Sequence, residues 1–275
     1  MTRLFLFALF LLAAVSLPPR PARAWGYDGH RIVCAIAWDL LKPTERAWVE
    51  WILDAKGRDA FAESCLWADE FRRWSVETGP LHYVNVPRGA NRIELARDCA
   101  PMGCVATEVL NQAPRIRSTY SRDALRFTAH FVGDMHQPLH AAGYADDQGG
   151  NLVKGKFMGL DTNLHGLWDY GMLESTRRPW REIADDLSKK ITQGDRWAWG
   201  GGTPIEWAQA TLAIAQSPMV GYGTTYTLTT PPFDLGQPYA DTNLPTVYTQ
   251  MQKAGSRLAD ILSNFLQGLP PPPTN

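Results

Sequence analysis

Apolar residues recur every three or four positions along much of the chain, which is the spacing of helices with one buried face. Ile32, Val33, Ile36 and Ala37 show this spacing at the start of the chain. Residues 121–137 carry the strongest helical pattern, with Ser121 as the expected N-cap and Asp123 in the first turn. Helices are predicted over residues 30–41, 44–55, 60–74 with a loop near Trp67, 104–118, 121–137, 163–175, 180–191, 204–216 and 246–267.

The remaining segments have turn-rich or short extended patterns. Residues 82–86 and 152–157 are predicted as extended pieces, and the Gly- and Asp-rich residues 143–150 as a loop. Residues 195–203, rich in Trp and Gly, are predicted as a loop, and the Thr-, Pro- and Gly-rich residues 221–245 as an irregular surface segment. The class predicted is therefore mainly α, in one domain with short β-hairpin pieces.

The first residues have the layout of a secretory signal. A basic start precedes the apolar run Leu4–Leu17, and Ala22-Arg23-Ala24 supplies small residues at the positions that a signal peptidase reads. A membrane anchor is the alternative, but this run is shorter than the roughly 20 residues that span a bilayer. We therefore expect cleavage before Trp25, a secreted or periplasmic protein, a domain over residues 25–268, and a disordered Pro-rich tail over residues 269–275.

The charge balance does not favour a general nucleic-acid binder. The chain carries 27 Lys and Arg against 28 Asp and Glu, and loss of the signal would remove Arg3, Arg20 and Arg23. Nucleic-acid-binding domains usually have a basic balance. Any affinity for phosphate must therefore come from bound cations or from a local patch.

Four cysteines are present, which in an exported protein favours two disulfides. Cys99 and Cys104 are close enough in sequence to close a small loop, and Cys34 and Cys65 would then pair by elimination. Free thiols or a metal site are the alternatives. No Cys-x-x-Cys pair is present, so a cysteine zinc site is not favoured.

Histidines and carboxylates recur at a spacing that suits a metal. His130 and Asp134 are four residues apart, as are His165 and Asp169, so each pair shares one helical face. One such pair alone is more often a structural histidine with its partner. Two pairs together with His140 favour zinc, which imidazole and carboxylate ligands bind well. Asp69 and His82 also lie among apolar neighbours, where a metal is one suitable partner.

Several short motifs that contain these residues occur in a specific order along the chain. The chain resembles the zinc-dependent single-strand-specific nucleases of the S1/P1 type, over residues 25 to about 169 and weakly beyond. The shared motifs are Trp25-Gly26-Tyr27-Asp28-Gly29-His30, Trp67-Ala68-Asp69, His82-Tyr83-Val84-Asn85, His130-Phe131-Val132-Gly133-Asp134-Met135-His136-Gln137-Pro138-Leu139-His140, Gly149-Gly150-Asn151 and Leu164-His165-Gly166-Leu167-Trp168-Asp169.

This resemblance implies the helical fold of zinc phospholipases C and single-strand nucleases, with three zinc ions. The first ion would be held by Asp69, His82, His130 and Asp134. The second would be held by the α-amine and carbonyl of Trp25, by His30 and by Asp134, which bridges the two. The third would be held by His140, His165 and Asp169, while His136 would not be a ligand.

The resemblance also implies roles in catalysis and binding. Two neighbouring zinc ions can lower the pKa of a water for in-line attack on phosphorus. Asp69 and Asp134 would act through these ions, and Arg72, three residues after Asp69, would stabilise charge on the scissile phosphate. Tyr83 would stack on a base, Asn151 would shape the cleft, and Asn85 replaces an aspartate that recognises the base in fungal members. Arg73 is expected to be a solvated helix arginine.

The expected activity is endonucleolytic cleavage of single-stranded DNA and RNA to 5′-phosphorylated products by a monomer, with a possible 3′-nucleotidase activity. A zinc-dependent phospholipase C shares the fold and the terminal tryptophan, but would need an apolar face for lipid. A non-catalytic zinc-binding protein would not need Arg72.

Overall fold

The protein is mainly helical, as predicted. A computed structural model describes residues 25–273, so the predicted signal, residues 1–24, lies outside the described residues. The helices are α1 Gly26–Leu40, α2 Pro43–Leu53, α3 Gly57–Ser64, α4 Trp67–Phe71, α5 Leu95–Asp98, α6 Val105–Ser118, α7 Arg122–Met135, α8 Leu164–Gly166, α9 Met172–Ser175, α10 Trp180–Lys190, α11 Gln193–Trp199, α12 Pro204–Ala215 and α13 Gln237–Leu266. No helix in the described part of the chain has an apolar stretch long enough to cross a membrane.

Three helices, α1, α7 and α13, form the centre of the fold. α1 packs against α13, α10 and α3, and α7 packs against α6 and α13. α7 begins where the sequence predicts, because Ser121 Oγ accepts a hydrogen bond from the Ala124 amide at 3.2 Å. Its buried residues run without interruption from Thr128 to Met135, so α7 carries polar side chains into the middle of the core.

The β-structure is a small sheet with the order β2-β1-β3. β1, Lys154–Phe157, and β2, Leu160–Asn163, form an antiparallel hairpin, and β3, Phe233–Leu235, pairs with β1 in parallel. The strand predicted at 152–157 therefore begins two residues later. Beyond the sheet, a 3₁₀ helix spans Val76–His82, and the extended piece that follows forms a bridge between Asn85 and Gly143.

Two predicted irregular segments contain helices. The predicted loop at 195–203 is wrong over its first half, because α11 runs to Trp199. Thr192 begins this helix by accepting from the Asp195 amide at 3.1 Å, and the Asp195 carboxylate accepts from the Thr192 amide at 2.9 Å. The irregular segment predicted at 221–245 is wrong at β3 and from Gln237 onwards, where α13 begins. Pro238 lies in the first turn of α13, where its missing N–H costs nothing.

Both expected cysteine pairs are present as disulfides, Cys34–Cys65 and Cys99–Cys104. Cys34–Cys65 joins α1 to the residue that follows α3, at the edge of the buried histidines. At the other end of the chain, the carbonyl of Pro270 accepts a hydrogen bond from Trp48 Nε1 at 2.8 Å. The domain bounds and the disordered tail stay predictions.

Candidate metal centre

α7 supplies the central carboxylate of the site. His130 and Asp134 lie one turn apart on its inner face, and both side chains are completely buried. Asp134 Oδ2 lies 2.9 Å from His82 Nδ1 and 3.3 Å from His130 Nε2, and these two nitrogens are 3.1 Å apart. Asp69 Oδ1 lies 3.9 Å from each nitrogen. An ion bound tetrahedrally at about 2.0–2.2 Å holds its ligand atoms about 3.3–3.6 Å apart, so these four atoms suit one zinc.

The second oxygen of Asp134 faces α1. Asp134 Oδ1 lies 3.2 Å from His30 Nε2, and the His30 ring stacks on the His130 ring with centroids 3.8 Å apart. Trp25, directly before α1, is fully buried and donates its indole N–H to the Gly133 carbonyl at 2.8 Å. One carboxylate therefore faces two groups of candidate ligands, one on each oxygen.

A third group lies between α7 and the helical segment that begins with α8. His140 Nε2 and His165 Nε2 are 3.0 Å apart, and Asp169 lies 3.2 Å from His165 and 3.8 Å from His140. His165 and Asp169 are one turn apart, as the sequence predicts, but Asp169 sits in a π-helical turn, Leu167–Gly171. Such turns are rare and often occur at functional sites.

Unpaired buried atoms show that these groups fit a cation. The buried side-chain atoms without a hydrogen-bond partner include both ring nitrogens of His30, Nε2 of His82, and one oxygen each of Asp69, Asp134 and Asp169. Leaving such atoms unpaired in a protein interior costs several kcal/mol in total, on the order of 1–3 kcal/mol for each. A bound cation between the carboxylates and imidazoles removes most of that cost.

Backbone carbonyls orient three of the imidazoles. The Nδ1 atoms of His130, His140 and His165 donate to the carbonyls of Cys65, His82 and Gly149 at 2.7, 2.8 and 2.6 Å. Each bond leaves Nε2 of that ring directed at the carboxylates. Metal-ligating histidines are usually held in this way.

A cleft opens beside the buried groups. It encloses about 400 Å³ and is lined by Arg72, Tyr83, Asn85, Asn151, His140 and His165, among others. Arg72 reaches to 3.4 Å from Asp69 Oδ1, so its guanidinium lies at the edge of the buried centre. A second cavity of about 560 Å³ shares Tyr83, Asn85 and Ala145 with the cleft and extends it towards Arg88 and Cys99. All predicted substrate residues therefore line one continuous groove.

Comparison with known proteins agrees with this arrangement. A family model for the S1/P1 nucleases matches residues 25–267. The chain belongs to the S1/P1 nuclease family. The match extends well beyond Asp169, where the sequence motifs alone become weak. This S1/P1 nuclease is thus a zinc-dependent hydrolase that cleaves phosphodiester bonds.

Individual relatives support the same assignment. The chain is 32% identical to Endonuclease 2 of Arabidopsis thaliana, over 88% of this chain and 90% of the relative. It is 31% identical to Nuclease P1 of Penicillium citrinum, over 88% and 97% of the two chains. It is 28% identical to Nuclease S1 of Aspergillus oryzae, over 86% and 89%.

Burial and charge act in opposite directions on the ionisation of this nuclease's central residues. Burial lowers the pKa of His30 and of His82, and lowers that of His140 to about 4, so these rings are neutral and can act as ligands at pH 7. Burial also lowers the pKa of His130, but the charge and hydrogen bond of Asp134, the charge of Asp69 and the bond to the Cys65 carbonyl together outweigh it and raise that pKa to about 9. Burial would raise the pKa of Asp134, yet the facing imidazoles hold it well below its usual range.

His136 lies in the same motif but belongs to a different network. Its Nδ1 donates to the Val132 carbonyl at 2.7 Å, and its Nε2 accepts from Arg257 at 2.7 Å. Burial, with the charge of Arg257, lowers the pKa of His136 to about 3. Its ring therefore faces α13 rather than the three groups of candidate ligands, as expected of a residue that is not a ligand.

Sequence reasoning missed two supporting residues. Gln137, fully buried, donates its side-chain N–H to Asp169 Oδ1 and so holds a candidate ligand in place. Asp147, also fully buried, accepts from the Gly150 amide at 2.8 Å, from the Tyr222 hydroxyl at 2.7 Å and from Arg88 at 2.7 Å. It thereby holds the loop whose Gly149 carbonyl orients His165. Only the position of Gln137 between His136 and His140 could have indicated its role.

We predict that Gly133→Ala disrupts the site although alanine favours helix. A Cβ at this position would lie 2.9 Å from His30 Nδ1, so the His30 ring must move away from Asp134. Alanine would otherwise stabilise a helix by about 0.5–1 kcal/mol. Activity at limiting zinc should fall about 10- to 100-fold.

The matched control is Gly194→Ala in α11, where the added Cβ meets only Thr192 Oγ1, at an ordinary 3.5 Å. Activity titrated against zinc concentration compares the two variants. Unchanged zinc dependence in Gly133→Ala would contradict the close approach of His30 to α7.

Proposed function

We propose that this nuclease holds three zinc ions and cleaves single-stranded DNA and RNA. The observation that carries the proposal is the shared carboxylate of Asp134, which faces His30 on one oxygen and His82 and His130 on the other. Asp69 completes the group of ligands that contains His82 and His130. The separate group of His140, His165 and Asp169 is the third site.

The ligands available from each group fit zinc in type and number. The first ion would take Asp69, His82, His130 and Asp134, and the third would take His140, His165 and Asp169. The second would take His30, Asp134 and the main chain of Trp25. When bound, zinc supplies positive charge that lowers the pKa of a water and neutralises oxygens of the phosphate.

The chain's own residues position the substrate and stabilise its charge. Arg72 would donate to the scissile phosphate as negative charge develops there, because its guanidinium lies between the cleft and Asp69. Asp69 and Asp134 keep the centre anionic, so that several cations can be held close together. No protein side chain is required as the general base.

Tyr83 and Asn85 support the preference for single strands. Both line the cleft, half-buried, at the edge of the segment that pairs with residues 140–143. A base can stack on Tyr83 only after it has left the duplex stack, and such stacking tolerates any sequence. Asn85 both donates and accepts hydrogen bonds, so it can contact more than one base. Asn151 lines the same cleft and would shape its entrance. The products would carry 5′-phosphates.

We also propose that the active protein is secreted or periplasmic and acts as a monomer. Two disulfides fit an oxidising compartment. Cleavage before Trp25 would give this fully buried residue a free α-amine close to His30 and Asp134. Export would then be a step in forming the second zinc site.

The proposal is tested by assaying three products from one zinc-loaded preparation. We expect acid-soluble nucleotides from denatured DNA and from RNA, which disappear with a chelator and return with zinc. Release of phosphocholine from lipid in place of nucleotides would assign the site to a phospholipase C. Absence of both products, with zinc bound, would indicate a non-catalytic zinc protein.

We predict different metal losses from Asp134→Ala and His165→Ala. Removal of Asp134 should reduce the zinc content by more than one ion, because its carboxylate faces two groups. Removal of His165 should mainly affect the third site and leave about two ions. Elemental analysis of the folded proteins checks this. The bridging assignment is wrong if both variants lose the same single zinc, and the trinuclear proposal is wrong if the parent holds one zinc or fewer.

We also predict that one additional residue before Trp25 impairs the second zinc site. In a chain with a retained Met, the Trp25 nitrogen is an amide and a poor ligand, whereas the free amine has a reference pKa of about 7.7–8.0 and can bind after losing its proton. The extended protein should hold less zinc and lose most activity. Trp25→Phe with an authentic N-terminus is the control, because it keeps the amine and the carbonyl. Equal zinc content and activity, with the Met verified by mass, would contradict the assignment.

A further inference from the structure

One exposed aromatic surface near the cleft has no part in the function described so far. It consists of Arg73, Trp74 and Val76, and we call it the Trp74 patch. Trp74 is 88% exposed and Val76 is 76% exposed. A side chain as large and apolar as tryptophan is usually buried in large part, and here it is exposed beside a second apolar side chain.

The backbone holds Trp74 in this position. The Trp74 amide donates to the Phe71 carbonyl at 2.9 Å, and the Ser75 amide donates to the same carbonyl at 3.0 Å. Thr78 then returns two bonds to the Ser75 carbonyl, from its amide at 3.0 Å and its hydroxyl at 2.7 Å. The indole is therefore presented to solvent by a hydrogen-bonded turn.

The Trp74 patch follows directly after a residue of the cleft in the chain. Arg72, two residues before Trp74, lines the cleft and lies 3.4 Å from Asp69. On the other side of the patch, a Cβ at Gly79 would lie 3.8 Å from Arg72 Cδ, and the same segment leads to His82 and Tyr83. Two residues span at most about 7 Å of extended chain, so the Trp74 Cα lies within that distance of the Arg72 Cα.

The charged residues around Trp74 would not by themselves attract a polyanion. Arg72 and Arg73 precede Trp74, but Glu70 and Glu77 are exposed on the same segment. The arginines can contact phosphates locally, whereas the net charge around them is balanced. An indole face binds an unpaired base of any identity, and this interaction does not need an excess of positive charge.

We propose that the Trp74 patch is a stacking platform for a base of the single strand just outside the cleft. The occupant is the nuclease's own substrate, DNA or RNA, and the inference thus rests on the proposed function. Arg73 contacts the backbone next to the stacked base. A double-stranded substrate offers no base to the indole, so the patch strengthens the preference for single strands and for longer ones.

The test compares a short with a long substrate in zinc-loaded enzyme. The dinucleotide d(TpT) fills only the cleft, whereas a 12-residue oligo(dT) reaches the patch. Trp74→Ala should raise KM for the long substrate relative to the short one by at least about fivefold, the lower end of the effect of one stacked base. The kcat on the long substrate should change little. Trp74→Phe, which keeps a stacking ring, should restore most of the KM.

Trp197→Ala is the matched control, because Trp197 is 86% exposed on α11, whereas Trp74 follows the cleft residue Arg72 by two positions. It should leave the ratio of the two KM values as it is in the parent. The platform is ruled out if Trp74→Ala keeps the parental ratio, if it raises both KM values equally, or if Trp74→Phe behaves like Trp74→Ala. Failure of the parent enzyme to cleave either substrate would instead contradict the proposed function.

Discussion

The buried carboxylate of Asp134 is the constraint on which the rest of the structure depends. An ionised acid in a protein interior is very costly unless charges or hydrogen bonds compensate it. Three imidazoles, from His30, His82 and His130, face its two oxygens at 2.9–3.3 Å. They reverse the effect of burial on the pKa of Asp134. Because these histidines come from three separate segments, compensating one charge requires most of the helical core to be in place.

The scaffold around Asp134 serves to keep those imidazoles directed inward. The Cys34–Cys65 disulfide ties α1 to the residue whose carbonyl holds His130, so the helix that carries His30 and the bond that orients His130 share one covalent link. Gly133 has no side chain and lets His30 and Trp25 approach α7 closely. Asp147 holds the loop that orients His165, and Gln137, in the core, holds Asp169 in place.

The cleft shows how a chain with slightly more acidic than basic residues can act on a polyanion. In the proposed function, positive charge comes from bound zinc and from Arg72 beside Asp69, and not from an overall basic surface. In the same proposal, binding away from the cleavage point comes from two aromatic side chains, Tyr83 in the cleft and Trp74 outside it. Aromatic stacking requires bases that are already unpaired. Local charge at the centre and stacking around it together account for a nuclease that selects single strands.

The amino-acid sequence by itself determined what depends on local spacing. The pairs His130–Asp134 and His165–Asp169 lie one helical turn apart because four residues complete a turn, and Ser121 begins α7 because its hydroxyl caps a free amide. Composition alone gave a wrong prediction for the Trp- and Gly-rich stretch after Thr192, which forms α11. A capping box begins this helix, and contacts with α13, such as the hydrogen bond from Arg257 Nε to the Trp199 carbonyl, hold it. Only the tertiary structure decided that Asp134 faces two groups at once, that Gln137 and Asp147 support the ligands, and that Tyr83, Asn85 and Asn151 line one groove. These relations join residues up to about 100 positions apart, and they follow from how the helices pack in the shared core, which no local pattern encodes.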